Sequence, residues 1–156
     1  MAENHAYIDA SPDDVYEVLA DAESYAEWVV GASQIRAVEG PWPEAGSKFH
    51  HTQGAFGIGL KDSTTSIAAN RPRQLVIEVR FRPFMIGKVE FRLRERGRGT
   101  HVTMVEYPIG GPVAKINNPL IDRALWARNF ESLRRLRKLA EQRAARNGEI
   151  PARAAA

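Results

Sequence analysis

The most constraining feature of the sequence is its closing segment, which predicts one long amphipathic helix. Asn118 suits the N-cap and Pro119 the first helical position, where the N–H that proline lacks would be unpaired anyway. The helix is predicted to end near Arg146, and about 28 residues span roughly 42 Å. Its apolar stripe follows three-and-four spacing through Trp126, Leu133, Leu136 and Ala140, broadened by Leu125 and Phe130.

The beginning of the chain predicts a strand followed by two short helices. Residues 4–10 alternate weakly between apolar and polar side chains, as a half-buried strand does. Ser11 then suits the N-cap of a helix that starts at Pro12. Asp21 suits the N-cap of a second short helix, which ends near Trp28.

The middle of the chain predicts strands and turns only. A glycine-interrupted hairpin follows the early strands, and residues 75–81 alternate most clearly. Because turn signals separate consecutive strands with no helix between them, the sheet should be antiparallel. The strands outside the hairpin are predicted over residues 33–39, 47–53, 75–81, 88–94 and 100–106.

Five landmarks in this order resemble the START-like superfamily, also called SRPBCC, in its polyketide cyclase/dehydrase and lipid transport-like branch. The resemblance covers about residues 4 to 145. The landmarks are Ile8 to Ser11 with Pro12, Asp21 to Trp28, Gly46, Pro72 to Leu75, and Gly99 to Thr103.

The resemblance implies an α+β helix-grip fold. In that fold a curved antiparallel sheet of about six or seven strands wraps around the long C-terminal helix, and two short helices follow the first strand. The ligand lies between helix and sheet. Members of the superfamily include carriers, binders and cyclases, so the resemblance implies a cavity without selecting an activity.

Length and composition predict one domain over residues 1–146 and a disordered tail over residues 147–156. The chain of 156 residues contains no cysteine, which excludes disulfides and thiol chemistry. No secretory signal is visible, and no apolar run approaches the ~18 residues that span a bilayer. We therefore expect a cytoplasmic protein without stable membrane insertion.

Glu106 is the first candidate for chemistry. It shares strand parity with Val102 and Met104, so it should face inward if they do. A carboxyl group in apolar surroundings has a raised pKa and can act as a general acid or base near neutral pH. The alternative is that the strand has ended or twisted by this point, which would leave Glu106 in solvent.

His51 is the second candidate. It shares parity with Phe49, and an inward imidazole could donate to a carbonyl or move a proton. The alternative is a histidine bonded to backbone or lying at a strand edge. His50 and His51 do not form a metal site, because neighbours on a strand point to opposite faces. No metal site, phosphate loop or dinucleotide fingerprint is found, and we expect no cofactor.

The remaining candidates are residues that could contact a ligand. Asn129 interrupts the apolar stripe of the long helix, which indicates either a ligand contact or a hydrogen bond to a strand. The apolar wall candidates, any of which could be plain core, are Trp28, Phe49, Phe81, Phe91, Met104 and Trp126.

Three functions are compatible with these patterns. The leading hypothesis is a protein that binds an apolar or aromatic small molecule, such as a lipid, polyketide or isoprenoid. The second is a polyketide cyclase or dehydrase with Glu106 or His51 as acid or base. The third is an interaction module that uses the basic back of the last helix, where residues 115–146 hold nine Lys or Arg and three acids. We expect no nucleic-acid partner, and a monomer or homodimer.

Overall fold

The computed structural model describes the backbone of residues 1–55 and 58–154 and, within them, the side chains of residues 1–54 and 59–148. Seven strands form one antiparallel sheet in the order β1-β7-β6-β5-β4-β3-β2. The strands are β1 (Ala2–Ile8), β2 (Ala32–Glu39), β3 (Lys48–Ala55), β4 (Ile58–Asn70), β5 (Gln74–Phe81), β6 (Met85–Arg96) and β7 (Gly99–Gly110).

Three α-helices accompany the sheet: α1 (Pro12–Leu19), α2 (Tyr25–Trp28) and α3 (Pro119–Ala154). Ser11 caps α1, since its hydroxyl oxygen accepts the Asp14 amide at 3.1 Å. Asn118 caps α3 in the same way, through the Leu120 amide at 2.9 Å. Asp21 makes no side-chain capping bond. Its carboxylate instead pairs with Arg143 of α3 at 2.8 Å.

The sheet topology confirms the predicted α+β helix-grip fold. Strands β2 to β7 each pair with their neighbours in sequence. β1 pairs with β7, in a register that sets Ala2 opposite Glu106 and Ile8 opposite Thr100. α3 then packs along β1, α1 and α2. The core lies between α3 and the concave face of the sheet.

The buried face of α3 is set by helical periodicity. Its fully buried apolar residues include Leu133, Leu136 and Ala140, as predicted. They pack into one cluster with the inner side chains of the sheet and with α1 and α2. The polar residues Asn129 and Ser132 continue this face and are equally buried.

Trp126 does not belong to this buried face, which corrects its predicted place on the ligand wall. Its side chain is 48% exposed and stacks on the 52%-exposed Phe130, with ring centroids 5.5 Å apart. The centre of the buried stripe runs through Leu125, Asn129 and Ser132. Trp126 lies at its edge because each residue turns the helix by roughly 100°.

α3 also extends beyond its predicted end near Arg146, to Ala154. Gly148 lies within this extension, and an interior glycine costs a helix only about 1 kcal/mol relative to alanine. Residues 155 and 156 of the predicted tail lie outside the described residues. Among the described helices, none has an apolar stretch long enough to cross a bilayer.

Candidate functional site

A small cavity lies between the concave face of the sheet and the helices α2 and α3. Its volume is about 40 Å³, which suffices for about three water molecules. Its walls come from every strand from β2 to β7. The side chains that contribute to it include Trp28, Phe49, His51, Gln53, Thr64, Ile77, Val79, Phe81, Met85, Val89, Phe91, Met104 and Arg128.

The wall formed by β5, β6 and β7 is apolar. The structure places Phe81, Phe91 and Met104 there, as their strand parity predicts. Trp28 closes this side from α2 and meets Phe91 edge to face, with ring centroids 5.9 Å apart. Its indole N–H is not available to a ligand, since it donates to the Ser24 hydroxyl at 3.2 Å. Apart from Arg80 on β5, this wall offers aromatic and aliphatic surface.

The wall formed by β3 and β4 is polar, with Phe49 as its main apolar member. His51 is buried, and its Nε2 lies 3.1 Å from the Thr64 hydroxyl oxygen. Its Nδ1 has no hydrogen-bond partner. Burial lowers the pKa of His51, although the nearby Asp62 carboxylate opposes the shift. The imidazole is therefore neutral at neutral pH and able to accept a proton.

Asp62 stands opposite His51 in the strand register and is fully occupied by protein groups. Its Oδ2 accepts the Arg82 amide at 2.6 Å, and its Oδ1 accepts the Arg82 Nε–H at 3.1 Å. Oδ1 also accepts the Ser63 amide at 3.0 Å. These bonds fix the carboxylate to the turn after β5 and leave no oxygen free for a ligand.

Glu106 lies behind the cavity on β7 and is completely buried. Asn129 of α3 donates its amide N–H to Glu106 Oε2 at 2.7 Å. The other oxygen, Oε1, accepts no hydrogen bond. Asn129 therefore makes the hydrogen bond to a strand that was one of its two predicted roles, and it brings β7 and α3 together.

Arg128 lies at the boundary between the cavity and an outer groove, since its side chain lines both. The groove has a volume of about 330 Å³ and lies between α3, the β3–β4 hairpin, the β5–β6 hairpin and the segment before α3. The Nη2 of Arg128 lies 3.8 Å from Glu106 Oε1, which is longer than a hydrogen bond. Its Nε is buried and has no partner. Arg128 is thus a positive charge beside the cavity whose hydrogen-bonding capacity is partly unused.

The structure brings together His51 and the apolar wall, and places Glu106 and Asn129 just behind it. Arg128 and Thr64 are not among the predicted site residues. The sequence indicates Thr64 only weakly, because Asp62 and Ser66 on the same face of β4 are also polar and form no apolar pattern. Arg128 could have been found from its helical position one turn before Ser132, on the edge of the buried stripe.

Three arginines on the basic back of α3 pair with acids on the same helix. Glu131 accepts from Arg134 at 2.7 Å and from Arg135 at 2.8 Å, and these bonds lower its pKa to about 2. Arg137 pairs with Glu141 at 3.0 Å. Such intrahelical pairs are typical of a solvated helix face.

The family described as "Polyketide cyclase / dehydrase and lipid transport" matches residues 2–141. This range contains the whole sheet, the cavity and the buried face of α3. The chain belongs to this family. The match confirms the resemblance seen in the sequence, and the family's description covers both cyclisation chemistry and transport of apolar molecules.

Solved structures share the fold at low sequence identity. The chain is similar to protein CV1439 from Chromobacterium violaceum, with a TM-score of 0.68 and 18% identity over 89% of this chain and 96% of that one. It is also similar to the di-domain ARO/CYC StfQ from the steffimycin biosynthetic pathway, with a TM-score of 0.70 and 16% identity. That alignment covers 92% of this chain and 51% of StfQ.

A third similar structure is Ara h 8.0201, with a TM-score of 0.67 and 11% identity over 88% of this chain and 95% of that one. No protein with a curated description matches the chain. These likenesses show the helix-grip fold and leave the ligand to be argued from the cavity.

Proposed function

We propose that the protein binds an apolar or aromatic small molecule, such as a polyketide, lipid or isoprenoid, between the sheet and α3. One observation carries the proposal: the cavity has an aromatic and aliphatic wall facing a wall with a buried, incompletely bonded His51. The apolar wall supplies affinity through burial of surface. His51 and Thr64 supply a contact for one polar group.

The small volume requires that the site open to admit such a ligand. Four side chains, Gln53, Phe81, Met85 and Arg128, line both the cavity and the outer groove. They separate the two spaces, and the groove is itself mostly apolar. Rotation of these flexible side chains would join about 330 Å³ of groove to the cavity. The entrance in this proposal is therefore the groove between α3 and the β5–β6 hairpin.

Native mass spectrometry of the purified protein tests the proposal, with release and identification of any bound molecule. Exposure to a mixture of aromatic polyketides and lipids follows for protein that is empty when purified. We expect a stoichiometric apolar ligand. Val79→Phe, which places a ring in the cavity from β5, should abolish its retention, because no room is then left for a ligand.

Ile67→Phe is the matched control, since it adds the same ring at a side chain that is 48% exposed on β4. Retention should be unchanged in that variant. Equal retention by both variants, or no ligand from either source, would contradict the proposal.

A second candidate function is a cyclase or dehydrase, which the buried Glu106 and the neutral His51 favour. Cyclisation and dehydration of a poly-β-ketone need a base to remove a proton beside a carbonyl and an acid to protonate oxygen. His51 has a lowered pKa and a free nitrogen, and Glu106 has a free oxygen. His51 lines the cavity from β3, and Glu106 lies behind it on β7.

Turnover of a poly-β-keto thioester, followed by mass spectrometry of the products, tests this candidate. Glu106→Gln and His51→Gln should each reduce turnover by about a hundredfold or more, which is a larger change than either causes in affinity. Unchanged turnover in both variants, or no turnover by the unmodified protein, would contradict the enzymatic function. Ligand binding would then be the remaining proposal.

A further inference from the structure

We infer that the ligand of this cavity carries an acidic oxygen group, such as a carboxylate or an enolate, which Arg128 holds at the entrance. The inference rests on the proposed binding function and specifies its ligand class. The apolar body of the ligand would lie against β5 to β7, and its acidic group would stay beside α3.

The position of Arg128 is the first argument. Among the described side chains that line the cavity, the permanently charged ones are Arg80 and Arg128. Arg80 is paired with an acid of its own strand, since its Nε–H donates to Glu78 at 3.0 Å, and its side chain is 41% exposed. Arg128 also lines the outer groove. A ligand entering through that groove therefore passes a guanidinium that is only partly bonded.

The hydrogen bonding of Arg128 is the second argument. Its buried Nε has no partner, and a buried donor without a partner is costly. Glu106 balances its charge at 3.8 Å without taking up its N–H groups. The guanidinium presents five N–H donors in a planar fork, which fits the two oxygens of a carboxylate.

The hydrogen bond from Asn129 explains why the Glu106 carboxylate does not itself accept hydrogen bonds from the Arg128 guanidinium. The Asn129 amide holds Glu106 Oε2 at 2.7 Å and so fixes the carboxylate on the β7 side. The free oxygen then stays beyond hydrogen-bond distance of Arg128. The three residues form a row in which the arginine is oriented by charge and still has donors for a ligand.

The surroundings of Arg128 give the remaining chemistry of the ligand. Phe81 and Met85 flank it at the boundary between cavity and groove, and the groove continues with Leu125 and Ile121. Such surroundings leave the Arg128 side chain only 23% exposed and strengthen a charge-assisted hydrogen bond. A neutral carbonyl or hydroxyl would accept only a weaker hydrogen bond from the guanidinium than a carboxylate does, and a cation would be repelled by it.

Three probes with the same ring system test the inference: naphthoate, naphthylmethanol and naphthylmethylamine. Their affinities are measured by calorimetry at pH 7. We expect naphthoate to bind at least about tenfold more tightly than the alcohol, and the amine to bind most weakly. Arg128→Gln should remove the preference by weakening naphthoate alone. Arg80→Gln, the matched control, should leave the preference intact.

A double variant guards against misfolding, because Arg128→Gln leaves Glu106 without its counter-charge. Arg128→Gln combined with Glu106→Gln removes both charges and should also bind naphthoate and naphthylmethanol equally. Equal affinity of the unmodified protein for acid and alcohol would overturn the acidic-group inference and leave the binding function standing. A preference that survives in the double variant would overturn it as well. Binding of none of the three probes would contradict the proposed binding function itself.

Discussion

The two buried carboxylates on the concave face of the sheet differ in how completely the protein bonds them. Asp62 on β4 is 2% exposed and accepts hydrogen bonds on both oxygens, from Arg82 and Ser63. Glu106 on β7 is 0% exposed and accepts one hydrogen bond, from Asn129. Each has an arginine nearby, at 3.1 Å for Asp62 and 3.8 Å for Glu106.

The difference separates a structural carboxylate from one that remains available. A buried charge needs hydrogen bonds as well as an opposite charge, or its desolvation is not offset. Asp62 meets this condition within the protein and links β4 to the turn after β5. Glu106 meets it only in part, and the same is true of its neighbour Arg128. Unmet bonding capacity is therefore concentrated on the α3 side of the cavity, next to the entrance.

The largest effect on stability should come from the fully bonded carboxylate. Asp62→Ala leaves the Arg82 amide and guanidinium without their acceptor, and it should lower the free energy of unfolding by about 3 kcal/mol. Urea denaturation measures this change. Asp9→Ala, which removes an exposed carboxylate 3.5 Å from Arg98, should cost less than about 1 kcal/mol. Similar losses in the two variants would remove the distinction between buried and exposed pairs.

An intermediate effect should follow when Glu106 loses its single hydrogen bond. Asn129→Leu keeps the side chain about the same size but leaves a buried carboxylate unbonded, which should cost about 2 kcal/mol. The same substitution in a Glu106→Gln background should cost clearly less, because no buried carboxylate is left. Denaturation of the four proteins of this cycle gives the coupling. Costs that simply add would show that Asn129 and Glu106 act independently.

The smallest effect should be a pH dependence from the polar wall. The pKa of folded His51 lies below its ordinary value of 6.5, so the unfolded chain binds the proton more readily. Stability from this group is complete above pH 6.5 and is lost as the pH falls toward the folded pKa. His51→Gln should flatten the fall in unfolding free energy with decreasing pH in this window. If the unfolding free energy had the same pH profile in both proteins, the prediction would be contradicted and the imidazole would be solvated.

Strand parity predicts much of the site, and its failures have a physical cause. Alternation on β3 and β7 correctly places His51 and Glu106 inside. It says nothing of β4, whose inward residues Asp62, Thr64 and Ser66 are all polar and buried. A wall without apolar side chains produces no hydrophobic pattern. The inward residues of β4 are therefore the part of the cavity wall that hydrophobic patterns do not predict.

On α3 the pattern predicts the helix and its first residue but not which residues meet the cavity. Trp126 is the largest apolar residue near the start of the stripe, yet it is exposed. Arg128 is charged, yet it reaches the cavity. Hydrophobicity favours the wrong one of the two, because the buried stripe passes through polar residues at this point. A site for a polar group of a ligand is the expected place for such a departure.

The sheet order also has a consequence for the sequence of folding events. β1 pairs with β7, so residues 2–8 must wait for residues 100–106 before their backbone groups are bonded. Every other strand pairs with a neighbour in the chain and can do so soon after synthesis. Residues 2–8 are thus among the last to dock. Until then the edge of β7 lies open to any other extended chain.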